Sequence, residues 1–398
     1  MLSWEALTGR RLFTTNLLYK VFTPPQGYPE VTPKVDTTKR RVYKGFDNIA
    51  LFQSITSILG WGILALALAS KLKNIYIKML SVVLILLFGF SPQVADWDSV
   101  LGAEALSFSL FALSLGLLIW LLFDIYENKK KRPRTVALAV IWFIIFFLWS
   151  FARDTNLYAL FPTCIMLLVA LIAFRQYRRS LILIILLVAL ATSLGLGLAS
   201  SMQSERSNIQ IKHAIFEYIL PYPARAEFMY NLGMPYPESP EFEKWFDRNA
   251  PGSYMLFLIA HPRYTLSKNL HGTYVAFNPY MQSYFRVSDL KWRTQLINFG
   301  EVLHPNTAAL VIALILLSVL WVYTISDKIS TNVSKPWAWL TTWIFLTGSS
   351  TLFISIFGDT VALHRHAIFS TTELRLLMWI LLITLSDLLL LKNSQESV

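Results

Sequence analysis

Residues 101–123, LGAEALSFSLFALSLGLLIWLLF, decide the fold class of this chain. The stretch contains one ionisable side chain, Glu104, and the residues that follow it are uncharged and mostly apolar. An α-helix needs about 20 such residues to cross ~30 Å of hydrocarbon, and the run lacks the strict alternation of a barrel strand. The stretch therefore predicts a transmembrane helix.

The composition of the whole chain indicates that the bilayer is its solvent. Of the 398 residues, 55% are hydrophobic and only 15% are charged, and the mean hydropathy is +0.50. A soluble surface does not tolerate such values. The net charge of +11 comes from short basic clusters beside apolar segments, a pattern typical of topology signals and lipid contacts. We therefore predict an all-α, polytopic membrane protein that contacts membrane lipids and binds no nucleic acid.

Apolar blocks of similar length recur along the chain and predict a bundle of about nine transmembrane helices. The spans are expected at residues 47–70, 75–91, 101–123, 135–152, 157–174, 180–200, 307–325, 337–357 and 372–391. They divide the chain into an N-terminal interfacial segment (1–46), a bundle of six spans (47–200), a loop domain (201–306) and a bundle of three spans with a short cytoplasmic tail (307–398). Ser239, Pro240 and Glu241 in the loop form a helix-start pattern, so the loop domain is expected to be mostly helical.

Basic residues predict the orientation of the bundle in the plasma membrane. Lys and Arg cluster in the connections after the first, third and fifth spans, which the positive-inside rule assigns to the cytoplasm. Strict alternation then makes residues 201–306 extracytoplasmic. It also puts residues 1–45 outside, although they are basic and contain no signal-peptide core, so we expect a further helix upstream. Residues 1–22 have the mixed character of a helix lying in the headgroup region or of an amphipathic connector.

Ionisable residues close to the hydrocarbon gather at the expected outer face. They are Asp96, Asp98, Glu104, Arg153, Asp154, Asp359, Arg365 and Glu373. Charge at the membrane edge is costly and usually faces a protein interior or a wet cavity, so we predict an outward-opening polar site. Glu104 lies inside its span with Ser107 on the same face, and is the residue hardest to explain by structure alone.

Structural roles are open for several of the other charged residues. Asp98 is positioned to cap the third span, and Arg153 to meet the C-terminal dipole of the fourth. Ser370 and Glu373 have the spacing of a capping box at the start of the last span.

The chain offers little for metal or redox chemistry. His364 and His366 lie two residues apart with no further ligand nearby, which disfavours a zinc site. The single cysteine, Cys164, lies in an apolar run, so no intrachain disulfide or CxxC pair can form. No nucleotide-binding or common hydrolase motif occurs.

Four short stretches carry a family resemblance: residues 9–20 (GRRLFTTNLLYK), 96–107 (DWDSVLGAEALS), 152–156 (ARDTN) and 358–366 (GDTVALHRH). Together they resemble bacterial multi-pass proteins of the GT-C glycosyltransferase type. The resemblance implies transfer of a sugar from a polyprenyl-phosphate donor to an unidentified acceptor at the outer leaflet. In that family an acidic first external loop, preceded by a transmembrane helix, usually supplies the catalytic carboxylate. This chain begins at what looks like the latter part of that loop.

The implied reaction suggests roles for the outer-face residues. Displacing a lipid phosphate by a hydroxyl needs a carboxylate to accept the proton and a cation to hold the phosphate charge. The candidate catalytic carboxylates are Glu104, Asp96 and Asp98. The candidate substrate-binding residues are Arg153, Asp154, Asn156, Asp359, Arg365 and His366, with a guanidinium of Arg153 or Arg365 on the phosphate. No spacing supports a resident metal, and a divalent cation is left open as a cofactor.

Two other functions remain open from the sequence. A transporter or flippase of lipid-linked substrates would use broken helices, for which Gly195 and Gly197 in the sixth span are a weak signal. The other alternative is a non-catalytic or truncated membrane component, because the first transmembrane helix expected for the family does not precede residues 9–20, where the resemblance begins.

Overall fold

The computed structural model describes residues 12–23, 47–127, 133–203, 208–278, 291–326, 331–358 and 363–396, and every regular element among them is helical. The helices up to residue 203 are α1 (Phe13–Val21), α2 (Asp47–Lys71), α3 (Ile75–Gly89), α4 (Pro92–Ala95), a 3₁₀ turn (Asp96–Ser99), α5 (Ala103–Glu127), α6 (Pro133–Ser150), α7 (Asp154–Leu157), α8 (Leu160–Ala173) and α9 (Leu181–Gln203). Those that follow are α10 (Asn208–Tyr218), α11 (Pro223–Asn231), α12 (Glu241–Ala260), α13 (Pro262–Phe277), α14 (Lys291–Leu303), α15 (Ala308–Ser326), α16 (Thr331–Gly358) and α17 (Leu363–Glu396).

Within the described residues, eight helical segments are long and apolar enough to cross a membrane, judged by length and composition. They are Asp47–Lys71, Ala103–Glu127, Pro133–Ser150, Asp154–Ala173, Leu181–Ser201, Lys291–Ser326, Val333–Gly358 and Leu363–Leu391. Helix α3 has 15 residues and is therefore about 22 Å long, less than the ~30 Å hydrocarbon core. Together with residues 92–99, to which it is joined at a 45° bend, it would form a ninth span. The chain is thus a multi-pass helical membrane protein.

Helix α5 is the central helix of the bundle, and small residues let α2 approach it closely. A Cβ added at Gly60 of α2 would lie 2.3 Å from the Ser109 carbonyl oxygen of α5. A Cβ added at Gly116 of α5 would lie 3.1 Å from the Ile63 backbone. Small residues at such crossings are how membrane helices gain packing contacts without a hydrophobic driving force.

Helix α1 packs across the end of the bundle at which α5 begins. The Thr14 and Thr15 hydroxyls donate to carbonyl oxygens at the end of α6, at 2.7 and 2.9 Å. The Tyr19 hydroxyl donates to the Leu101 carbonyl oxygen at 3.0 Å. Residues 13–21 therefore form a short helix that ties α6 to the start of α5, whereas residues 1–11 and 24–46 of the expected N-terminal segment lie outside the described residues.

Polar contacts at the opposite end of the bundle are local and structural. The Asp387 carboxylate of α17 accepts hydrogen bonds from the backbone N–H groups of Lys73, at 3.0 Å, and Asn74, at 2.7 Å. Lys71 and Glu127 form an ion pair at 3.1 Å between the last turns of α2 and α5. These contacts fix the ends of α2, α3 and α5 relative to α17.

The described part of residues 201–306 is helical and rests on the α5-start end of the bundle. The Tyr254 hydroxyl of α12 donates to the Phe357 carbonyl oxygen of α16 at 2.9 Å. Gly272 of α13 packs closely against Ile356 of α16: a Cβ added at Gly272 would lie 2.6 Å from Ile356 Cγ2. The helix predicted to begin at Pro240, with Ser239 as its N-cap, begins one residue later, at Glu241, with Pro240 at the N-cap position.

The start of the last span was predicted wrongly. Helix α17 begins at Leu363 rather than near residue 372, so Ser370 and Glu373 lie in its interior and do not form a capping box. The Thr347 hydroxyl of α16 donates to the buried Glu373 carboxylate, and Ser370 Oγ donates to Thr351 Oγ1 at 2.9 Å. These polar side chains face another helix instead of lipid. The lower hydropathy of the residues before 372 therefore did not mark the start of the helix.

Candidate functional site

The candidate site is centred on Glu104, in the first turn of α5. Arg365 Nε, in the first turn of α17, donates to Glu104 Oε1 at 2.9 Å. A Cβ added at Gly102 would lie 2.3 Å from Glu104 Oε2, so a larger residue there would displace the carboxylate. The Glu104 side chain is only 5% exposed, whereas that of Arg365 is 32% exposed. The carboxylate therefore lies beneath a cation that reaches the surface.

Arg153 brings a second guanidinium to the same place. It precedes α7 in an extended conformation, and its Nη2 donates to the Arg365 carbonyl oxygen at 3.3 Å. The same nitrogen lies 3.4 Å from His366 Nδ1. The Arg153 charge also interacts with Glu104. One carboxylate thus faces two guanidinium groups, and the planar N–H donors of guanidinium suit a phosphate ligand.

Asn156 holds the Arg153 segment against the helix that carries Glu104. Its Nδ2 donates to Ser107 Oγ at 3.1 Å and to the Trp149 carbonyl oxygen at 3.0 Å. Asn156, a substrate-binding candidate from the sequence, is fully buried, and these bonds give it a positioning role behind the site. Asp154 is exposed beside Arg153.

The other two candidate carboxylates lie apart from this cluster. Asp96 Oδ2 pairs with Arg293 Nη2 of α14 at 2.6 Å, and about a quarter of each side chain is exposed. Asp98 is buried in the 3₁₀ turn and faces Ser57 of α2. That turn ends at Ser99, before α5 begins, so the prediction that Asp98 caps the third span is wrong. Asp359 lies outside the described residues.

A cleft on another side of α17, lined by several polar side chains, was not anticipated from the sequence. Arg375 lines it and donates to the carbonyl oxygens of Pro305, at 2.7 Å, and Phe277, at 2.8 Å. His304 lines it too, with Nε2 at 2.8 Å from Ser91 Oγ. An arginine inside an apolar span is the sequence signal that could have identified this cleft.

Comparison with known proteins adds no functional assignment. No protein-family model, curated protein or solved structure matches the chain. In the part of the chain that the structure describes, no group of three or more His, Cys, Asp or Glu side chains could hold a metal ion. The chemistry of the Glu104 cluster is therefore the basis for a functional proposal.

Proposed function

We propose that this chain is a membrane glycosyltransferase of GT-C type that transfers a sugar from a polyprenyl-phosphate carrier to an acceptor hydroxyl. The observation that carries the proposal is a buried carboxylate, Glu104, paired at 2.9 Å with Arg365 and flanked by Arg153. A proton acceptor beside cations is the set of groups that displacement of a lipid phosphate requires.

In the proposed reaction the acceptor oxygen attacks the anomeric carbon, and the bond from that carbon to the phosphate oxygen breaks. Glu104 accepts the hydroxyl proton. The electron pair leaves with polyprenyl phosphate, and Arg153 and Arg365 hold its charge through paired N–H donors. Because Arg365 donates to Glu104 in the resting site, a bound phosphate competes for this guanidinium and leaves the carboxylate to the acceptor.

The position of the cluster suits a lipid-linked donor. Glu104 lies at one end of a span and Glu127 at the other, about 35 Å away along the helix, so the site is at the membrane edge. The lipid chain would remain in the bilayer while its phosphate reached the guanidinium groups. Basic residues of the connections at the opposite end, Arg175, Arg178 and Arg179 among them, favour a cytoplasmic location for that end and an outer-leaflet location for the site.

A carrier of the same kind of lipid is the second candidate function. The observation that favours it is the 45° bend between α3 and residues 92–99, since broken helices near a ligand are typical of transporters. A carrier would move the intact lipid-linked sugar, whereas a transferase cleaves it.

The test is an assay of the full chain in lipid nanodiscs with a panel of polyprenyl-phosphate sugars and candidate acceptors. We expect release of polyprenyl phosphate with at least one donor. Arg153→Lys should raise the KM for the donor by about tenfold and affect acceptor use less, because lysine keeps the charge but loses the guanidinium fork. Arg293→Lys, which alters the pair with Asp96, is the matched control. Movement of uncleaved donor across vesicles would favour the carrier, and equal behaviour of the two variants would argue against a phosphate at Arg153.

A further inference from the structure

Helices α10, α11 and α13 hold a cluster of two cations and tyrosine rings that the proposed reaction does not use. Arg225 Cζ lies 4.4 Å from the centre of the Tyr264 ring and 4.0 Å from that of Tyr222. Lys268 Nζ lies 6.0 Å from the centre of the Tyr264 ring and 4.1 Å from that of Tyr218. Two positive charges therefore share one aromatic wall.

The hydrogen-bonding capacity of this cluster is largely unused. Lys268 Nζ and Tyr264 Oη are both buried, and neither has a hydrogen-bond partner among the described residues. An ammonium carries three donors, and burying a charged donor without an acceptor is costly. Arg225 donates through Nη1 to the Tyr218 carbonyl oxygen at 2.7 Å. Aromatic faces offset part of the charge but cannot accept all of these donors, and no carboxylate among the described residues bonds to Lys268 Nζ.

Glu217 does not supply an anion to the cluster. Glu217 interacts electrostatically with Lys268, but its side chain is exposed and forms no ion pair with Lys268 in the described part of the chain. Burial, with a smaller contribution from the charge of Arg225, lowers the pKa of Lys268 to about 8. The ammonium is thus present at neutral pH in a place where burial opposes its charge.

The cluster lies where phosphate groups are available. The Phe357 ring, whose centre is 5.6 Å from Lys268 Nζ, belongs to the last turn of a membrane-spanning helix. Tyr222 is 50% exposed and Arg225 is half-buried, so the cluster opens to the surface on their side. A helix that spans the hydrocarbon ends at the level of the lipid headgroups, so headgroup phosphates are a source of ligand here.

We propose that Arg225, Lys268 and Tyr264 form a binding site for a phosphate group, in addition to the site at Glu104. Two cations and a hydroxyl match the charge and the several acceptor oxygens of a phosphate better than those of a carboxylate. The phosphate can belong to a lipid headgroup or to a soluble phosphate or pyrophosphate. The inference does not depend on sugar transfer, because none of the three residues takes part in that reaction.

Binding to the purified full chain tests the proposal in two arms. One arm measures inorganic phosphate and pyrophosphate by calorimetry; the other measures phosphatidic acid against diacylglycerol, which lacks the phosphate, by native mass spectrometry. We expect binding in at least one arm, weakened about tenfold or more by Lys268→Met. Lys212→Met is the matched control, because Lys212 is in α10, partly exposed and already paired with Glu243 at 2.7 Å. Binding of phosphatidic acid alone identifies a headgroup site, and binding of the soluble ions identifies a free-anion site.

A second readout separates this role from a purely structural cation–π contact. A ligand that binds only the folded protein raises its Tm. The phosphate ligand should therefore raise the Tm of the wild type but not that of Lys268→Met. Tyr264→Phe, which removes only the hydroxyl, should weaken binding severalfold and keeps the proposal testable if Lys268→Met does not fold. Absence of binding in both arms, or binding that neither variant weakens, would overturn the proposal.

Discussion

The ion pair between Glu104 and Arg365 should make a measurable contribution to the free energy of unfolding. Removing one partner of a buried pair costs about 3–5 kcal/mol, because the other charge is left uncompensated. Glu104 is 5% exposed, but Arg365 is 32% exposed and solvent screens it, so we expect about 2–3 kcal/mol for Glu104→Gln. Arg153 adds to this cost, since its charge also interacts favourably with the Glu104 carboxylate that the substitution removes. In a double-mutant cycle with Arg365→Gln, the coupling energy should be about 1–2 kcal/mol.

The assay is reversible unfolding of the purified chain in detergent micelles, followed for the wild type, both single variants and the double variant. The matched control is the cycle at Lys71 and Glu127, a pair whose Glu127 side chain is 58% exposed. That coupling should be below about 1 kcal/mol, as for other solvated pairs. A coupling energy between Glu104 and Arg365 no larger than that between Lys71 and Glu127 would refute the reasoning.

Three further predictions concern positioning, ionisation and topology. Asn156→Leu should lower the free energy of unfolding by about 1–3 kcal/mol, because it removes two buried hydrogen bonds, and an unchanged Tm would contradict this. The Lys268 pKa of about 8 lies below its ordinary value of 10.5, so the unfolded chain binds more protons between these values. The free energy of unfolding should therefore rise with pH between about 8 and 10.5, by at most ~3 kcal/mol. If Lys268→Met shows the same rise, Lys268 is not its source. In a Cys164→Ala background in intact cells, an impermeant thiol reagent should label Lys244→Cys but not Arg179→Cys, and the reverse pattern would invert the proposed orientation.

The class of fold could be predicted from the sequence, and the helix limits could be predicted where apolar runs are long. The span expected at 47–70 is found as Asp47–Lys71, because its flanking charges end the hydrophobic run. The bend after Gly89 lies where Pro92 opens the next helix, because proline disfavours helical conformation at the residue before it, and the contact of Ser91 with His304 supports it. The early start of α17 at Leu363 escaped prediction because its polar residues are accommodated by α16.

The site could be predicted only as a set of residues at one face of the membrane. Glu104 and Arg365 are 261 positions apart, and nothing local in the sequence indicates that they form a pair. Asp96 was grouped with them, but it pairs with Arg293 of α14, whose position depends on how that helix packs. Helix packing decides which charges meet, and a single sequence does not encode that choice in a readable pattern.

Turnover of a polyprenyl-phosphate sugar by the wild type and by Glu104→Gln, in nanodiscs at a temperature where both are folded, tests the central claim most directly. Glutamine keeps the shape of glutamate and removes the proton acceptor, so the proposal predicts release of polyprenyl phosphate by the wild type and a loss of about 10²–10⁴-fold in kcat for the variant. Glu127→Gln, at the other end of the same helix, should retain wild-type turnover. Turnover by Glu104→Gln equal to that of Glu127→Gln would contradict the proposed role of Glu104.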